Sequence, residues 1–347
     1  MADIASSLLL ASTASDGGGG GGGITDIAVA HDSSPYISVY PFTSGVGFGT
    51  KYSNPSILPP GGCRGVSFQS SDILLASGSS PYIVAYSFTS GVGFGSKYSD
   101  PSTLPPAFAL GIASIPTDVA VANQLNPNVS AYPFTSGVGF GARYSLSTTG
   151  NGTSVDMTLT DVIYGTTALY YFKVVRFTPG VGFGAQYSIP SVLTREAVDC
   201  CFSSSSSEVA VVNSRSPYVY VFPFTTGVGL GSKYSDPSTP VPATSNAVSF
   251  NIDDTCIAVG IISSPYIHVY SFTSGVGFGS KYANPSTLPA GAVYDVAFTS
   301  TDIAVSHATS PFVSVYPFTA GGGFGSKYSD PSTLPVGTGR GVTFRVS

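Results

Sequence analysis

Residues 72–99 read DILLASGSSPYIVAYSFTSGVGFGSKYS, and variants of this stretch occur seven times along the 347-residue chain. The glycine motif within it starts at seven positions, separated by 46, 46, 43, 47, 48 and 46 residues: Gly45, Gly91, Gly137, Gly180, Gly227, Gly275 and Gly321. A repeat of this length that contains several short apolar segments is typical of a propeller blade. The period therefore predicts an all-β, seven-bladed β-propeller.

Each repeat predicts four antiparallel strands, which we name a to d in chain order. In the second repeat they are expected at Arg64–Gln69, from Asp72 (DILLAS), at Tyr82–Phe88 and at Ser96–Ser99. Serine, glycine and proline between the runs supply the turns. GVGFG is expected in the c–d hairpin, because a phosphate-binding loop would precede a helix and end in Lys-Ser/Thr.

The two ends of the repeat region predict how the ring closes. The first repeat begins at its b strand, whereas the chain ends with RGVTFRVS from Arg340, which matches RGVSFQS from Arg64. The C-terminal segment is therefore expected to supply strand a of the first blade, a 3+1 overlap that removes free strand edges. Residues 24–347 form the predicted propeller, and residues 1–23 an N-terminal arm.

Three columns of residues recur in the aligned repeats. An acidic residue precedes strand b in all repeats except the sixth, which has Cys256. We interpret it as an acceptor for backbone amides of the a–b turn, with a ring of cation-binding or catalytic acids as the alternative. The aromatic columns predict packing between neighbouring blades. The members are Asp26, Asp72, Asp118, Asp161, Glu208 and Asp302; Phe42, Phe88, Phe134, Phe177, Phe224, Phe272 and Phe318; and Tyr52, Tyr98, Tyr144, Tyr187, Tyr234, Tyr282 and Tyr328.

Composition argues against several functions. Only 9% of residues are charged and the net charge is −5, whereas nucleic-acid binding needs a basic surface. Neither a basic leader followed by an apolar stretch nor a membrane-length apolar run is present, so we expect neither secretion by a signal peptide nor membrane insertion. The four cysteines lack a C-x-x-C spacing.

Little in the sequence points to catalysis. His31 and His307 are equivalent positions in adjoining blades, and they are a candidate metal-binding pair with Asp32 as a further ligand. Asp156, Asp199 and Asp295 lie on inner strands, and we interpret them as solvated channel residues because no Arg cluster or Ser-His-Asp set accompanies them. The sequence therefore predicts no enzyme activity, no catalytic or metal-binding residues and no cofactor.

The progression SPY–VYPF–GFG–KYS–PSTLP, as in residues 34–42 and 48–53, resembles the WD-repeat-like β-propellers of virion-associated proteins of tailed bacteriophages. The resemblance covers residues 24–347, although the Gly-His and Trp-Asp dipeptides of eukaryotic WD repeats are missing. It implies a non-enzymatic structural or attachment module in the virion, with capsid or tail proteins as partners. The alternative is a lectin-like propeller that recognises host-surface glycans. Its candidate aromatics are Tyr36, Tyr82, Tyr218, Tyr266 and Phe312.

Two regions are candidate partner contacts. In the arm, Leu8, Leu9 and Leu10 precede seven glycines, Gly17–Gly23. Ordering these glycines costs conformational entropy, so the arm is expected to dock on a neighbouring subunit or particle protein, or to fold back on the propeller. The fourth repeat departs from the pattern, and a subunit contact is expected there near Tyr170, Tyr171, Lys173 and Arg176.

Overall fold

The computed structural model describes residues 24–146, 150–167, 171–190 and 196–345. The strands of this part form seven antiparallel sheets, one for each repeat, and each blade has the strand order a-b-c-d. The a strands are the inner strands of the blades, and they contact each other around a closed ring. The prediction of a seven-bladed propeller is confirmed.

The strand bounds follow the repeat. In blades 1 to 7, strands a are Gly339–Arg345, Cys63–Gln69, Ala109–Ile115, Gly152–Met157, Ala197–Phe202, Ser245–Phe250 and Val293–Phe298. Strands b are Ile24–His31, Asp72–Ser77, Asp118–Asn123, Asp161–Thr166, Glu208–Asn213, Cys256–Ile261 and Asp302–His307. Strands c are Ile37–Thr43, Ile83–Thr89, Val129–Thr135, Phe172–Thr178, Val219–Thr225, Ile267–Thr273 and Val313–Thr319. Strands d are Gly47–Phe48, Gly93–Lys97, Gly139–Phe140, Gly182–Gln186, Gly229–Leu230, Gly277–Lys281 and Gly323–Phe324, and Tyr144–Leu146 is an additional strand in blade 3.

The first blade closes the ring as predicted. Strand a of this blade is the C-terminal Gly339–Arg345, which pairs with the N-terminal strand b so that Asp26 lies opposite Arg345 and Ile27 opposite Phe344. One blade is thus built from both ends of the described chain, and its hydrogen bonds hold the ring together.

Strand d begins earlier than predicted. The expected start in blade 2 is Ser96, but the strand begins at Gly93, within the glycine motif. Gly91 has a φ of +77° and turns the chain so that Gly93 already pairs with Thr89. Glycine adopts this left-handed conformation without steric cost, so the motif forms both the hairpin turn and the start of the outer strand.

The hydrophobic core lies between neighbouring blades. The tyrosine that follows strand d packs edge-on against the strand-c phenylalanine of the next blade, as Tyr52 does against Phe88 with ring centroids 5.3 Å apart. All seven predicted pairs are present, including Tyr328 of blade 7 against Phe42 of blade 1. Edge-to-face rings of this kind stabilise packing beyond the area that they bury.

Hydrogen bonds through the same tyrosines link the blades. The Tyr52 hydroxyl donates to Asp26 Oδ1 in its own blade, over 2.7 Å, and accepts the Gly91 N–H of the next blade, over 2.9 Å. Blades 2, 4, 5 and 7 repeat the arrangement, and in blade 6 Cys256 Sγ contacts the Tyr282 hydroxyl instead. Tyr328 closes the ring between Asp302 and Gly45.

The acidic column therefore has a different role from the predicted one. These carboxylates accept the hydroxyl of the tyrosine that follows strand d of the same blade, rather than capping the amides of the a–b turn. Blade 3 differs from the others. Asp118 Oδ1 is buried without a hydrogen-bond partner among the described residues, and the Tyr144 hydroxyl makes no hydrogen bond to another described residue.

Among the residues that the structure describes, no helix has the length and apolar character needed to cross a bilayer.

Tyr52→Phe should lower the free energy of unfolding by about 1–3 kcal/mol, because it leaves Asp26 and the Gly91 N–H without their shared partner. Tyr144→Phe is the matched control and should cost less than about 1 kcal/mol, since its hydroxyl bridges no such pair. Urea titration of the two variants measures the difference. Equal losses of stability would contradict a role for the hydroxyl link.

Candidate functional site

The seven inner strands line a central channel of about 510 Å³, a volume that suits a small-molecule ligand. Near its start, each inner strand has a register irregularity opposite strand b. A bulge of this kind turns a side chain away from the regular alternation. Around the ring, the bulge positions place these residues at one end of the channel: Arg340, Arg64, Leu110, Thr153, Val198, Asn246 and Tyr294.

Blades 1 and 2 place an arginine each at this end, and both meet Asp32. Asp32 directly follows strand b of blade 1. Its Oδ2 accepts Arg340 Nε over 2.9 Å and lies 2.8 Å from Arg340 Nη2, while its Oδ1 lies 3.5 Å from Arg64 Nη1. We call Asp32, Arg64, Tyr294 and Arg340 the mouth site.

Aromatic rings flank the two guanidinium groups. Arg340 stacks on Tyr294 of blade 7, with its Cζ 4.4 Å from the ring centroid, and Arg64 lies 5.5 Å from the centroid of Phe108. Such cation–π contacts hold a guanidinium in place while its edge stays available for hydrogen bonds. The mouth site therefore presents two oriented cations beside apolar ring faces.

The mouth site has more positive than negative charge. Two guanidinium groups share one carboxylate, and burial lowers the pKa of Arg64, with the nearby charge of Arg340 lowering it further. Arg64 Nε is buried and has no hydrogen-bond partner among the described residues. The Arg64 side chain is 30% exposed, so an oxyanion or a polarised carbonyl oxygen in the channel would meet its accessible atoms and not the buried Nε.

Three aspartates line the channel below the mouth. Each carboxylate accepts a backbone N–H of the inner strand of the next blade: Asp156 from Phe202, Asp199 from Val248 and Asp295 from Val342, over 2.8–2.9 Å. They link neighbouring blades in addition to lining the channel, where each is half-buried. An inner strand leaves one edge unpaired, and these carboxylates satisfy amides on that edge.

Burial also raises the pKa of each channel aspartate, because the surroundings disfavour its charged form. The pKa rises to about 6 for Asp156 and about 7 for Asp295. For Asp199 it rises to about 8, since the charge of Asp295 adds to the effect of burial. A carboxyl group that titrates near neutrality can both accept and donate a proton under ordinary conditions.

The histidines considered as a metal pair are core residues. His31 and His307 are fully buried, and each places Nε2 about 3 Å from a serine hydroxyl of its own blade, Ser38 and Ser314 respectively. Burial lowers the pKa of both to about 4. No group of three or more potential metal ligands occurs in the described ranges.

The structure does not gather the residues predicted as partner contacts into one patch. Leu8, Leu9, Leu10 and Tyr170 lie outside the described residues. Tyr171 is half-buried, and Lys173 and Arg176 lie on strand c of blade 4. Residues three apart on a strand point to opposite faces, so Lys173 and Arg176 do not share one face of this strand. A partner contact near them stays a prediction.

Four of the five aromatic residues proposed for glycan binding pack against the core. Tyr36, Tyr82, Tyr218 and Tyr266 are half-buried beside the hydrophobic clusters between blades. The repeat pattern pointed to these residues as candidate site residues, but it did not point to Arg64, Tyr294 or Arg340. The available signal was the Arg-Gly pair at the start of two inner strands, in a chain with only 13 basic residues.

No protein-family model matches this sequence, and no curated protein sequence matches it. Solved structures do. A Bacteroides fragilis protein to which 6-phosphogluconolactonase activity is ascribed has a TM-score of 0.73 at 9% identity, covering 93% of this chain and 98% of that one. The periplasmic gluconolactonase PpgL of Pseudomonas aeruginosa has a TM-score of 0.70 at 13% identity, covering 93% and 99%. The β-propeller domain of Cps50 (Swd1) from Myceliophteria thermophila has a TM-score of 0.58 at 12% identity, covering 84% and 96%.

At these identities the likeness establishes the propeller fold. The first two structures are named for lactonase activity and not for a role on a virus particle. This finding contradicts the prediction of a non-enzymatic phage attachment module with a lectin as its alternative. It also contradicts the prediction that the chain is not an enzyme. The bacteriophage resemblance inferred from the repeat motif is not found in these comparisons.

The buried histidines should make stability depend on acidity. Below pH 6.5 the unfolded state binds a proton at His307, whereas the folded state, with a pKa of about 4, does not. Stability should therefore fall by about 2–3 kcal/mol from this residue as the pH decreases from 6.5 to 4. His307→Asn should remove that loss, because asparagine occupies the equivalent positions Asn123 and Asn213.

The channel aspartates have the opposite effect. Their pKa values are raised on folding, so their contribution is complete below pH 3.8 and declines as the pH rises. The difference between His307→Asn and wild type in urea titrations at several pH values isolates the histidine. Parallel stability curves for the two proteins would contradict the assignment.

Proposed function

We propose that this propeller is a hydrolase that opens a small sugar lactone at the mouth of its central channel. The observation that carries the proposal is the convergence of Arg64 and Arg340 on Asp32 at one end of the channel. The lactonase names of similarly shaped propellers support the choice of substrate class.

The guanidinium groups have two uses in such a reaction. In the substrate complex they donate hydrogen bonds to the lactone carbonyl oxygen and to neighbouring hydroxyl or acidic groups. In the transition state they stabilise the negative charge that develops on the carbonyl oxygen. Asp32 holds the two cations together, while Tyr294 and Phe108 offer apolar faces to the sugar ring.

Asp295 is the best-placed base. It follows Tyr294 in the same strand, and its Oδ2 accepts the N–H of Val342, two residues after Arg340. Water attacks the carbonyl carbon and gives a proton to the Asp295 carboxylate, and the ester C–O bond then breaks. The departing ring oxygen takes that proton from the Asp295 carboxyl group. The product is the open hydroxy acid, whose own proton passes to solvent.

The first test is hydrolysis of δ-gluconolactone and its 6-phosphate, corrected for spontaneous opening. Arg64→Met and Arg340→Met should each lower kcat/KM by about 100-fold or more, because each removes a donor to the developing oxyanion. The control is Arg215→Met, since Arg215 is an exposed residue in the b–c loop of blade 5, on the same face. A wild-type rate equal to the spontaneous rate, or full activity in both variants, would overturn the proposal.

The second test is the pH profile. Because Asp295 must be ionised to accept a proton, and burial raises its pKa to about 7, kcat/KM should increase with pH through an apparent pKa near 7. Asp295→Asn should abolish this rise and lower the rate by about 100-fold or more.

Asp156→Asn is the control for that profile, because Asp156 makes the same kind of link between blades farther around the ring. It should keep the rise near pH 7. A profile that Asp295→Asn leaves intact would assign the base to another residue.

A further inference from the structure

Six of the seven c–d hairpins have an exposed valine in the turn. These valines are Val46, Val92, Val138, Val181, Val228 and Val276, each 76–81% exposed. The hairpins are tight, as shown by the Val46 N–H, which donates to the Thr43 carbonyl over 3.0 Å. Polar residues and glycine are the usual choice in such turns. A β-branched apolar side chain at the same exposed position in six blades indicates a surface that contacts an apolar group. We call these six residues the valine ring.

The face that carries the valine ring is opposite the mouth site. The c–d hairpins lie beside the a–b turns, where the Phe88 N–H donates to the Ser71 carbonyl and the Ser71 and Ser136 hydroxyls are 2.9 Å apart. The mouth site lies at the other ends of the same strands. The seven hairpins, from TSGVG at residues 43–47 to TAGGG at 319–323, contain no charged residue, so they favour an uncharged occupant.

The ring has one gap, and the described chain begins beside it. Blade 7 has Gly322 in place of the valine. This blade adjoins blade 1, since the Tyr328 hydroxyl accepts the Gly45 N–H. The first described residue, Ile24, pairs with Thr43 at the base of the blade 1 hairpin. The described chain therefore begins on the valine face, next to the seam between blades 7 and 1.

The arm has the length and composition to reach this surface. Thirteen residues separate Leu10 from Ile24, and seven of them are Gly17–Gly23. A flexible Gly-rich segment of this length has a root-mean-square span of roughly 20 Å, and fully extended it reaches roughly 45 Å. A short tether also keeps its end at a millimolar effective concentration near the surface, which favours the arm over a separate molecule.

We propose that Leu8, Leu9 and Leu10 dock on the valine ring of their own propeller, in the gap at Gly322 between the blades that carry Val276 and Val46. The heptaglycine is the tether that lets this apolar segment turn back on the face from which the chain emerges. Docking covers the exposed valines nearest the seam where the two ends of the chain close the ring. This proposal does not depend on the lactonase proposal, because it concerns the opposite face.

The test uses the absence of tryptophan from the chain. Leu9→Trp places a single indole in the otherwise intact arm, and acrylamide quenching measures its exposure. Quenching should be several-fold weaker than after the further substitutions Val46→Ser and Val276→Ser, which remove the docking surface. Leu125→Ser and Ile262→Ser are the matched controls, since both residues are exposed in b–c loops on the opposite face, and they should leave the quenching unchanged.

Three outcomes would overturn the proposal. The indole could be fully quenched in the Leu9→Trp protein itself, which would mean that the arm does not dock. Protection that disappears on dilution, together with sedimentation as a dimer, would assign the valine ring to a second copy of the chain. Protection that appears only with phospholipid vesicles would assign it to a membrane surface.

Discussion

In blades 1, 2, 4, 5 and 7, the hydroxyl of the tyrosine that follows strand d is the contact on which the ring depends. It donates to a buried acidic side chain in its own blade and accepts an amide N–H from the hairpin of the next blade, as Tyr52 does between Asp26 and Gly91. Burial raises the pKa of these tyrosines, so the hydroxyl keeps the proton that it donates. Without this shared partner, the buried carboxylate and the hairpin N–H would each lose a hydrogen bond, which is costly for the buried group. The geometry of one blade therefore sets the position of the next. The hydrogen bond from the Gly45 N–H to the Tyr328 hydroxyl makes the same link between blades 1 and 7.

A regular ring is a scaffold, and chemistry requires departures from the repeat. The outer strands change little from blade to blade, whereas the bulge position of the inner strand varies from leucine to arginine to tyrosine. Three adjacent blades, 7, 1 and 2, place Tyr294, Arg340 and Arg64 there, and the b–c loop of blade 1 adds Asp32. The two ends of the chain meet in blade 1. Closing the ring and assembling the mouth site are thus one structural event, since Arg340 belongs to the C-terminal strand and Asp32 follows the N-terminal one.

The parts of this structure that repeat could be predicted from the sequence, and those that depend on position in space could not. The period predicts the blades, and the Phe and Tyr columns predict the packing between blades, because packing residues recur wherever blades meet. The match between Arg64 and Arg340 predicts the closure. The same match gave no indication that the two side chains face the channel, since a bulge decides this orientation and a bulge leaves no residue signature. The tyrosine link of Asp26 and the backbone links of Asp199 and Asp295 likewise depend on contacts between blades. The functional prediction was wrong because it took a resemblance in repeat motif, which reports packing, as a guide to activity.

The most direct test of the central claim is a crystal structure of the protein soaked with gluconate, the open product of the proposed reaction. The account predicts electron density for the acid at the channel mouth, with its carboxylate on Arg64 and Arg340 and its carbon chain beside Tyr294. Gluconate bound elsewhere on the propeller, or a mouth site that stays empty at saturating gluconate, would contradict it.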